Sequence, residues 1–162
     1  MNNQIRLATP DDAAAISQVI IQSLRQSNAL DYPPEVITQV EQSFSSEAIP
    51  ALLSQRQVFV ATIDKRVVAA ASLDQEVVRS VFVEPGHQGR GLGRQLMATL
   101  LSVAQDAKIE VLRVPSSITA EAFYFKSGYR KIRDEFHGAE RTIIMERRLT
   151  PVVDASTSVQ RG

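Results

Sequence analysis

Val77-Val78-Arg79-Ser80-Val81-Phe82-Val83-Glu84-Pro85-Gly86-His87-Gln88-Gly89-Arg90-Gly91-Leu92-Gly93-Arg94 is the stretch on which the fold turns. Its valine-rich start reads as a strand that halts at Glu84-Pro85, and an amphipathic helix opens at Arg94 with Leu96, Leu100, Leu101, Val103 and Ala104 along one side. Between them lies a loop of phosphate size. Gly89, Gly91 and Gly93 let the backbone approach a ligand with no Cβ in the way, and the first amides of the helix have no intrahelical partners. Such a site takes an anion.

Two familiar phosphate cradles do not fit. A P-loop needs Lys-Ser or Lys-Thr after its second glycine, whereas Gly91 is followed by Leu92-Gly93. A dinucleotide fingerprint needs a glycine where Arg94 stands, three residues after Gly91, and its strand opens a βαβ unit. Here the strand closes an antiparallel meander instead. Upstream, Val58 to Ile63, a tight Asp64-Lys65-Arg66 turn and Val67 to Leu73 form a hairpin, and Asp74-Gln75-Glu76 turns the chain into Val77.

Before the meander, Ile5 and Leu7 mark a short strand, and Thr9-Pro10-Asp11-Asp12 reads as the start of a helix carrying Ile16, Val19, Ile20 and Leu24. Pro34 opens a second helix, and Ser46-Glu47 with Ala48, Ile49, Leu52 and Leu53 makes a shorter third. Downstream, Val111 to Val114 is a strand broken by Pro115, and Thr119 to Lys126 is a short helix stopped by Gly128. Two final strands, Tyr129 to Phe136 and Arg141 to Leu149, flank Gly138. The class is α+β: a mixed, mostly antiparallel twisted sheet with helices on both faces. Only the strands at 77–83 and 111–114 are joined through a helix, so only they should be parallel. Pro115 removes a ladder donor, which predicts a splayed pair with a gap between them. A gap beside an anion-binding loop suits a long, thin ligand.

Composition narrows the function. With 162 residues and no glycine- or proline-rich linker, the chain reads as a single domain over residues 1–149 followed by a flexible polar tail over 150–162. There is no cysteine, which removes disulfides and thiolate catalysis, and His87 and His137 stand too far apart to form a helical metal pair. No metal is expected. Lys plus Arg and Asp plus Glu are both 18, so no overall charge favours nucleic acid or an anionic membrane. No apolar run reaches membrane-spanning length and Met1-Asn2-Asn3-Gln4 lacks a signal-peptide pattern, so a cytoplasmic protein is expected.

Gln88-Gly89-Arg90-Gly91-Leu92-Gly93 at a strand-to-helix turn, led in by Val83-Glu84-Pro85, resembles the cofactor motif of the GNAT superfamily of N-acetyltransferases. A second motif fits downstream: Ala120, Phe123-Tyr124 and Gly128-Tyr129 stand at the family's spacing for its tyrosine helix and following strand. The resemblance covers residues 5 to about 149 and is closest after residue 57.

The resemblance implies acetyl-CoA as cofactor. The amides of Gln88, Gly89, Arg90, Gly91, Leu92, Gly93 and Arg94 would hold its pyrophosphate, with the side chains of Arg90 and Arg94 adding charge. Val81, Phe82 and Val83 would lend backbone to the pantetheine amides, and an N–H near Val81 would polarise the thioester carbonyl. Tyr124 would protonate the departing thiolate, against the alternative that it only packs with Phe123 and Phe125. Family members often carry Asp-Ala-Ser or an asparagine where this chain has Pro115-Ser116-Ser117, so the side-chain contact to the pantetheine arm either falls to Ser117 or is missing. Tyr32, Pro33 and Pro34 lie where the family builds its variable acceptor wall.

Deprotonating the amine is the harder step. A lysine-like amine of pKa about 10.4 costs about 4–5 kcal/mol to neutralise at pH 7, against about 1.4 for an α-amine near 8. Glu76 is the nominated base. Strict alternation puts Glu76 and Arg79 on opposite faces, so a bulge in the strand decides which sees the cleft, and Arg79 there would favour a carboxylate-bearing substrate. The expected activity is transfer of acetyl to a primary amine of a small molecule or peptide by direct attack. The alternative is a non-catalytic acyl-CoA-binding regulatory module. The strand Arg141 to Arg148 is available to pair across a dimer edge, as in some members of the family, which would give a homodimer.

Overall fold

The computed structural model describes residues 3–149, and the tail expected over 150–162 lies outside the described residues. Seven strands form one sheet: β1 (Asn3–Leu7), β2 (Gln57–Ile63), β3 (Arg66–Asp74), β4 (Val77–Val83), β5 (Val111–Ser116), β6 (Arg130–His137) and β7 (Glu140–Arg148). Their spatial order is β1-β2-β3-β4-β5-β7-β6. Every neighbouring pair is antiparallel except β4 and β5, as the crossover through the helix requires. The helices are α1 (Ala13–Gln26), α2 (Pro34–Gln42), α3 (Ile49–Gln55), α4 (Leu92–Asp106) and α5 (Glu121–Lys126). Among the described residues no helix is long and apolar enough to cross a membrane.

Two cores sandwich β3. On one face Ile16, Val19, Ile20 and Leu24 of α1, with Ile37 and Ile49, pack over Val58, Val60 and Ala70. On the other, Leu92, Leu96, Met97, Leu100 and Ala104 of α4 cover Ala69, Ala71, Leu73 and Val78. Successive strand residues point to opposite faces, so the alanines at 69 to 71 keep both faces of the central strand low, and each lies almost fully buried. The helical spacing of the apolar residues in α1 and α4 is thus what places helices on both faces of the sheet.

The parallel pair separates at once. β4 and β5 share one register pair, Val77 with Arg113, secured by the Arg113 N–H donating to the Glu76 carbonyl at 2.9 Å. By alternation the next β5 amide aimed at β4 belongs to residue 115, and proline has none. The strand nevertheless runs through Pro115 to Ser116, rather than breaking there, because the flanking residues Val114 and Ser116 continue their pairing with Met145 and Ile143 of β7. Proline therefore opens the sheet on one side only.

Two further expectations change. Helix α4 opens at Leu92, not Arg94, with Gly91 as its N-cap at φ +81°. β7 lies between β5 and β6, with both its edges paired, so it is not available to a second copy. The outer strand at that end is β6, whose Lys131–Asp134 and Arg133–Glu135 ion pairs put charge along the edge, a usual guard against strand addition.

Candidate active site

The split between β4 and β5 widens into a cleft of about 1360 Å³. That exceeds the roughly 300–1,000 Å³ of pockets for drug-sized ligands, leaving room for two molecules end to end. At one end stand Gln88, Gly89, Gly91 and Arg94, in the middle Val81 to Val83 and Ser117, and alongside them Tyr124.

The glycine end is built as an anion cradle. Gly89 and Gly91 both take φ +81°, a left-handed conformation that favours glycine, and a Cβ at either would meet nothing within 4 Å. Backbone shape, not crowding, selects them. Gly93 is different: a Cβ there would sit 3.2 Å from the Phe123 ring, so it is small to let α4 close on α5. No side chain caps α4, which leaves the amides of Leu92, Gly93 and Arg94 open at the positive end of a 15-residue helix. Arg94 lines the cleft, whereas Arg90 is exposed and does not. The Gln88 side chain donates to the Val83 carbonyl at 3.1 Å and tethers the loop to the end of β4.

The lead-in to this loop is held by charge. Arg66 donates to both oxygens of Glu84, at 2.9 and 3.2 Å, and His87 Nδ1 lies 2.8 Å from the same carboxylate. Arg66 keeps the Glu84 carboxyl below its ordinary value. A depressed folded-state pKa stabilises the fold above the unfolded value and loses that contribution as pH falls through the folded one. Glu84→Gln should therefore lower the melting temperature at pH 7, and the deficit relative to wild type should shrink as the pH falls below about 4. A deficit that persisted unchanged at pH 3 would show that charge is not what Glu84 contributes.

Midway along β4 the strand bulges. Ala70 pairs with Phe82 and Ser72 with Arg79, leaving Ser80 and Val81 together opposite Ala71, and Ser80 takes φ +57°. The extra residue is held by a small polar network. The buried Ser72 hydroxyl donates to the Arg79 carbonyl at 2.8 Å, and Arg56 Nη1 donates to Ser72 Oγ at 3.3 Å and Ser80 Oγ at 3.1 Å. Arg79 lines the cleft together with Arg56 and Ser80, whereas Glu76 sits exposed in the turn before β4 and contributes no lining surface. The nominated base is thus not brought to the site, since the turn leaves its side chain outside.

Tyr124 is 3% exposed, edge-on to Phe123 at 5.2 Å and to Tyr129 at 5.8 Å. Burial pushes its phenol well above the ordinary value, with the neighbouring Tyr129 a smaller cause, and raises Tyr129 itself to about 12. Among the described residues the Tyr124 hydroxyl has no hydrogen-bond partner, although it lies beside the cleft. Ser117 also lines the cleft, but its Oγ accepts from the Ala120 N–H at 3.1 Å and so helps to start α5. It retains its hydroxyl proton for donation.

A model of the acetyltransferase (GNAT) domain family matches residues 28–145. The chain belongs to the GNAT acetyltransferase family. A relative from Escherichia coli (strain K12), the uncharacterized N-acetyltransferase YafP, is 27% identical over 139 residues, covering 83% of this chain and 87% of that protein. The fold matches a GCN5-related N-acetyltransferase from Rhodopseudomonas palustris with a TM-score of 0.86 at 24% identity, covering 92% of this chain and 97% of that one. It also matches the PaiA N-acetyltransferase of Thermoplasma acidophilum, solved in complex with coenzyme A, with a TM-score of 0.80 at 17% identity over 92% and 100% of the two chains.

As a GNAT protein the chain shows both motifs read from its sequence on one cleft, with the glycine loop at one end and Tyr124 beside the strand gap. Sequence reasoning missed Arg56, which reaches the bulge from the junction of α3 and β2, and the bracing role of Tyr32. The Tyr32 hydroxyl accepts from the Ile118 N–H at 2.6 Å and donates to the Arg141 carbonyl at 3.1 Å, while Thr119 donates to Asp31 at 2.7 Å. The segment before α2 is thereby clasped to the far wall of the GNAT cleft. No local pattern announces contacts made across 86 and 109 residues.

Proposed function

We propose that this GNAT protein transfers acetyl from acetyl-CoA to a primary amine of a small molecule or peptide by direct attack with both substrates bound. One observation carries the reading: a single cleft joins uncapped amides at the start of α4, an unbonded gap between parallel strands and an unpartnered phenol. The residues fit the cofactor from end to end. The amides of Leu92, Gly93 and Arg94, with the Arg94 side chain, take the pyrophosphate, and Gly89 and Gly91 keep its approach free of side chains. β4 residues Val81 to Val83 border the gap where an extended amide-bearing arm lies, and the Ser117 hydroxyl faces it.

The bulge supplies the reacting end. An N–H of Val81 donates to the thioester oxygen as negative charge builds there. The amine nitrogen bonds to the acetyl carbon, the carbon–sulfur bond breaks, and the pair of electrons leaves on sulfur. Tyr124 donates a hydrogen bond to that sulfur. Its raised pKa makes complete surrender of the proton uphill, so the hydroxyl steadies the leaving thiolate and the free thiol, of pKa about 8.5, is protonated at pH 7. The amine gives up one proton to water. With Glu76 outside the cleft, that loss is easier for amines of lower pKa.

Acetyl-CoA at a hundredfold excess over its Kd should stabilise the protein by about 2.7 kcal/mol, read as a rise in melting temperature. Thiol release on adding an amine then separates an enzyme from an acyl-CoA-binding regulatory module, the second reading. A melting temperature indifferent to acetyl-CoA overturns both.

A further inference from the structure

Two arginines, Arg56 and Arg79, line the cleft beside the bulge, and the lining also includes the carboxylates Glu135 and Glu140. At about 3.3 Å per residue, Arg79 lies roughly 13 Å along β4 from Val83, too far to share the phosphates held at the loop. Among the described residues it pairs with the carboxylate of Asp74, at 3.5 Å, with both side chains more than a third exposed. Arg56 is half-buried and, among the described residues, touches no carboxylate. Its Nη1 meets two serine hydroxyls, and its Nε and Nη2 donors have no partner among the described residues. Burial first, and then the nearby charge of Arg79, pull its pKa down against the opposing charge of Asp74, from an ordinary value so high that the guanidinium stays charged. Two cations face one cleft beside the bulge, where acetyl is delivered.

Resting on the acetyltransferase reading, we infer that the acceptor is an amine that also bears a carboxylate, which Arg56 and Arg79 bind at the bulge end of the cleft. Asp74 reaches Arg56 only through space and is already paired with Arg79, so half-burying Arg56 still costs free energy that is recovered when a substrate brings an anion. The planar guanidinium fork matches a carboxylate with two parallel hydrogen bonds, which fixes orientation as well as charge. Because Ser80 is hydrogen-bonded to Arg56, a carboxylate held there sits next to Val81, the residue assigned to the thioester. The amine of a short, carboxylate-bearing molecule then lies within reach of the acetyl carbon. Neutral amines offer the open donors of Arg56 no anion.

The test pairs each amine with its uncharged counterpart: α-amino acids, ω-amino acids and dipeptides against their carboxamides, with thiol release from acetyl-CoA as the readout. The carboxylate member should have the higher kcat/KM by about 10- to 100-fold, the range expected for hydrogen bonds to a charged group. Which pairs react distinguishes a free amino acid from a peptide terminus as the source of the carboxylate. In Arg79→Gln, which leaves the Arg56–serine network in place, the preference should fall at least fivefold through KM, with the acetyl-CoA Kd from calorimetry unchanged. Arg56→Gln should do the same, and if it unfolds, Arg79→Gln and the wild-type pairs still decide. Equal rates for both members of every pair, a preference untouched in Arg79→Gln, or bound acetyl-CoA with no thiol release from any pair overturns the inference. Failure of acetyl-CoA to bind at all sinks the underlying reading instead.

Discussion

Tyr124→Phe should lower kcat about 100-fold or more while leaving the Kd of acetyl-CoA within about twofold, the lower bound being what loss of one preorganised hydrogen-bond donor to developing negative charge typically costs. The substitution isolates one atom. The ring is buried against Phe123 and Tyr129, and phenylalanine keeps both edge-on contacts. The hydroxyl has no partner among the described residues, so removing it orphans no buried group and the melting temperature should hardly move. Stopped-flow thiol release, with calorimetry for binding, reads the two quantities separately. A variant with wild-type kcat would show that Tyr124 only packs. The pH profile gives a second check. Because burial holds the phenol well above its usual value, no alkaline loss of activity below pH 10 should trace to Tyr124, and any limb seen there should survive in the phenylalanine variant.

Gly91→Val should cost both stability and cofactor affinity. At φ +81° a β-branched side chain is held in a conformation it resists, a strain of about 1–3 kcal/mol, with a melting temperature lower by roughly 2–4 °C for each of them. The new side chain also stands at the N-cap of α4, beside the bare amides assigned to the pyrophosphate, so the acetyl-CoA Kd should rise at least tenfold. Gly93→Ala provides the contrast. Its methyl group meets the Phe123 ring rather than strained backbone, so its cost falls on the α4–α5 contact, and a Phe123→Leu background should relieve it. Were Gly91→Val to bind acetyl-CoA as tightly as wild type, the loop would lose its place as the phosphate cradle.

The parts of this fold that are written locally were legible. Pro85 and the glycine pattern mark the strand-to-helix turn, valine-rich runs mark the meander, and Pro115 marks the gap. Helix α4 begins two residues early, at Leu92, with Gly91 in left-handed backbone turning the chain into it. What was not legible depends on residues distant in sequence. Nothing in Gln55-Arg56-Gln57 says that its arginine will meet a serine 24 positions on, and Ser80, although not glycine, takes positive φ because Arg56 and Ser72 hold that turn of the chain. The choice between Glu76 and Arg79 rested on that bulge. The role of β7 was misread for a related reason, since the last hairpin inserts its second strand beside β5 and strand order is not visible in pattern alone.

Pro115 has a kinetic meaning as well as a geometric one. A sheet parted by ligand would close again when the ligand leaves, and each new arrival would first have to break ladder bonds. Here proline supplies no donor at that position to re-form one, so no ladder bond there has to break before a ligand enters. Entry of a long cofactor is then limited by diffusion and orientation rather than by an opening step, and its association rate should be first order in cofactor up to concentrations where a gated site would plateau.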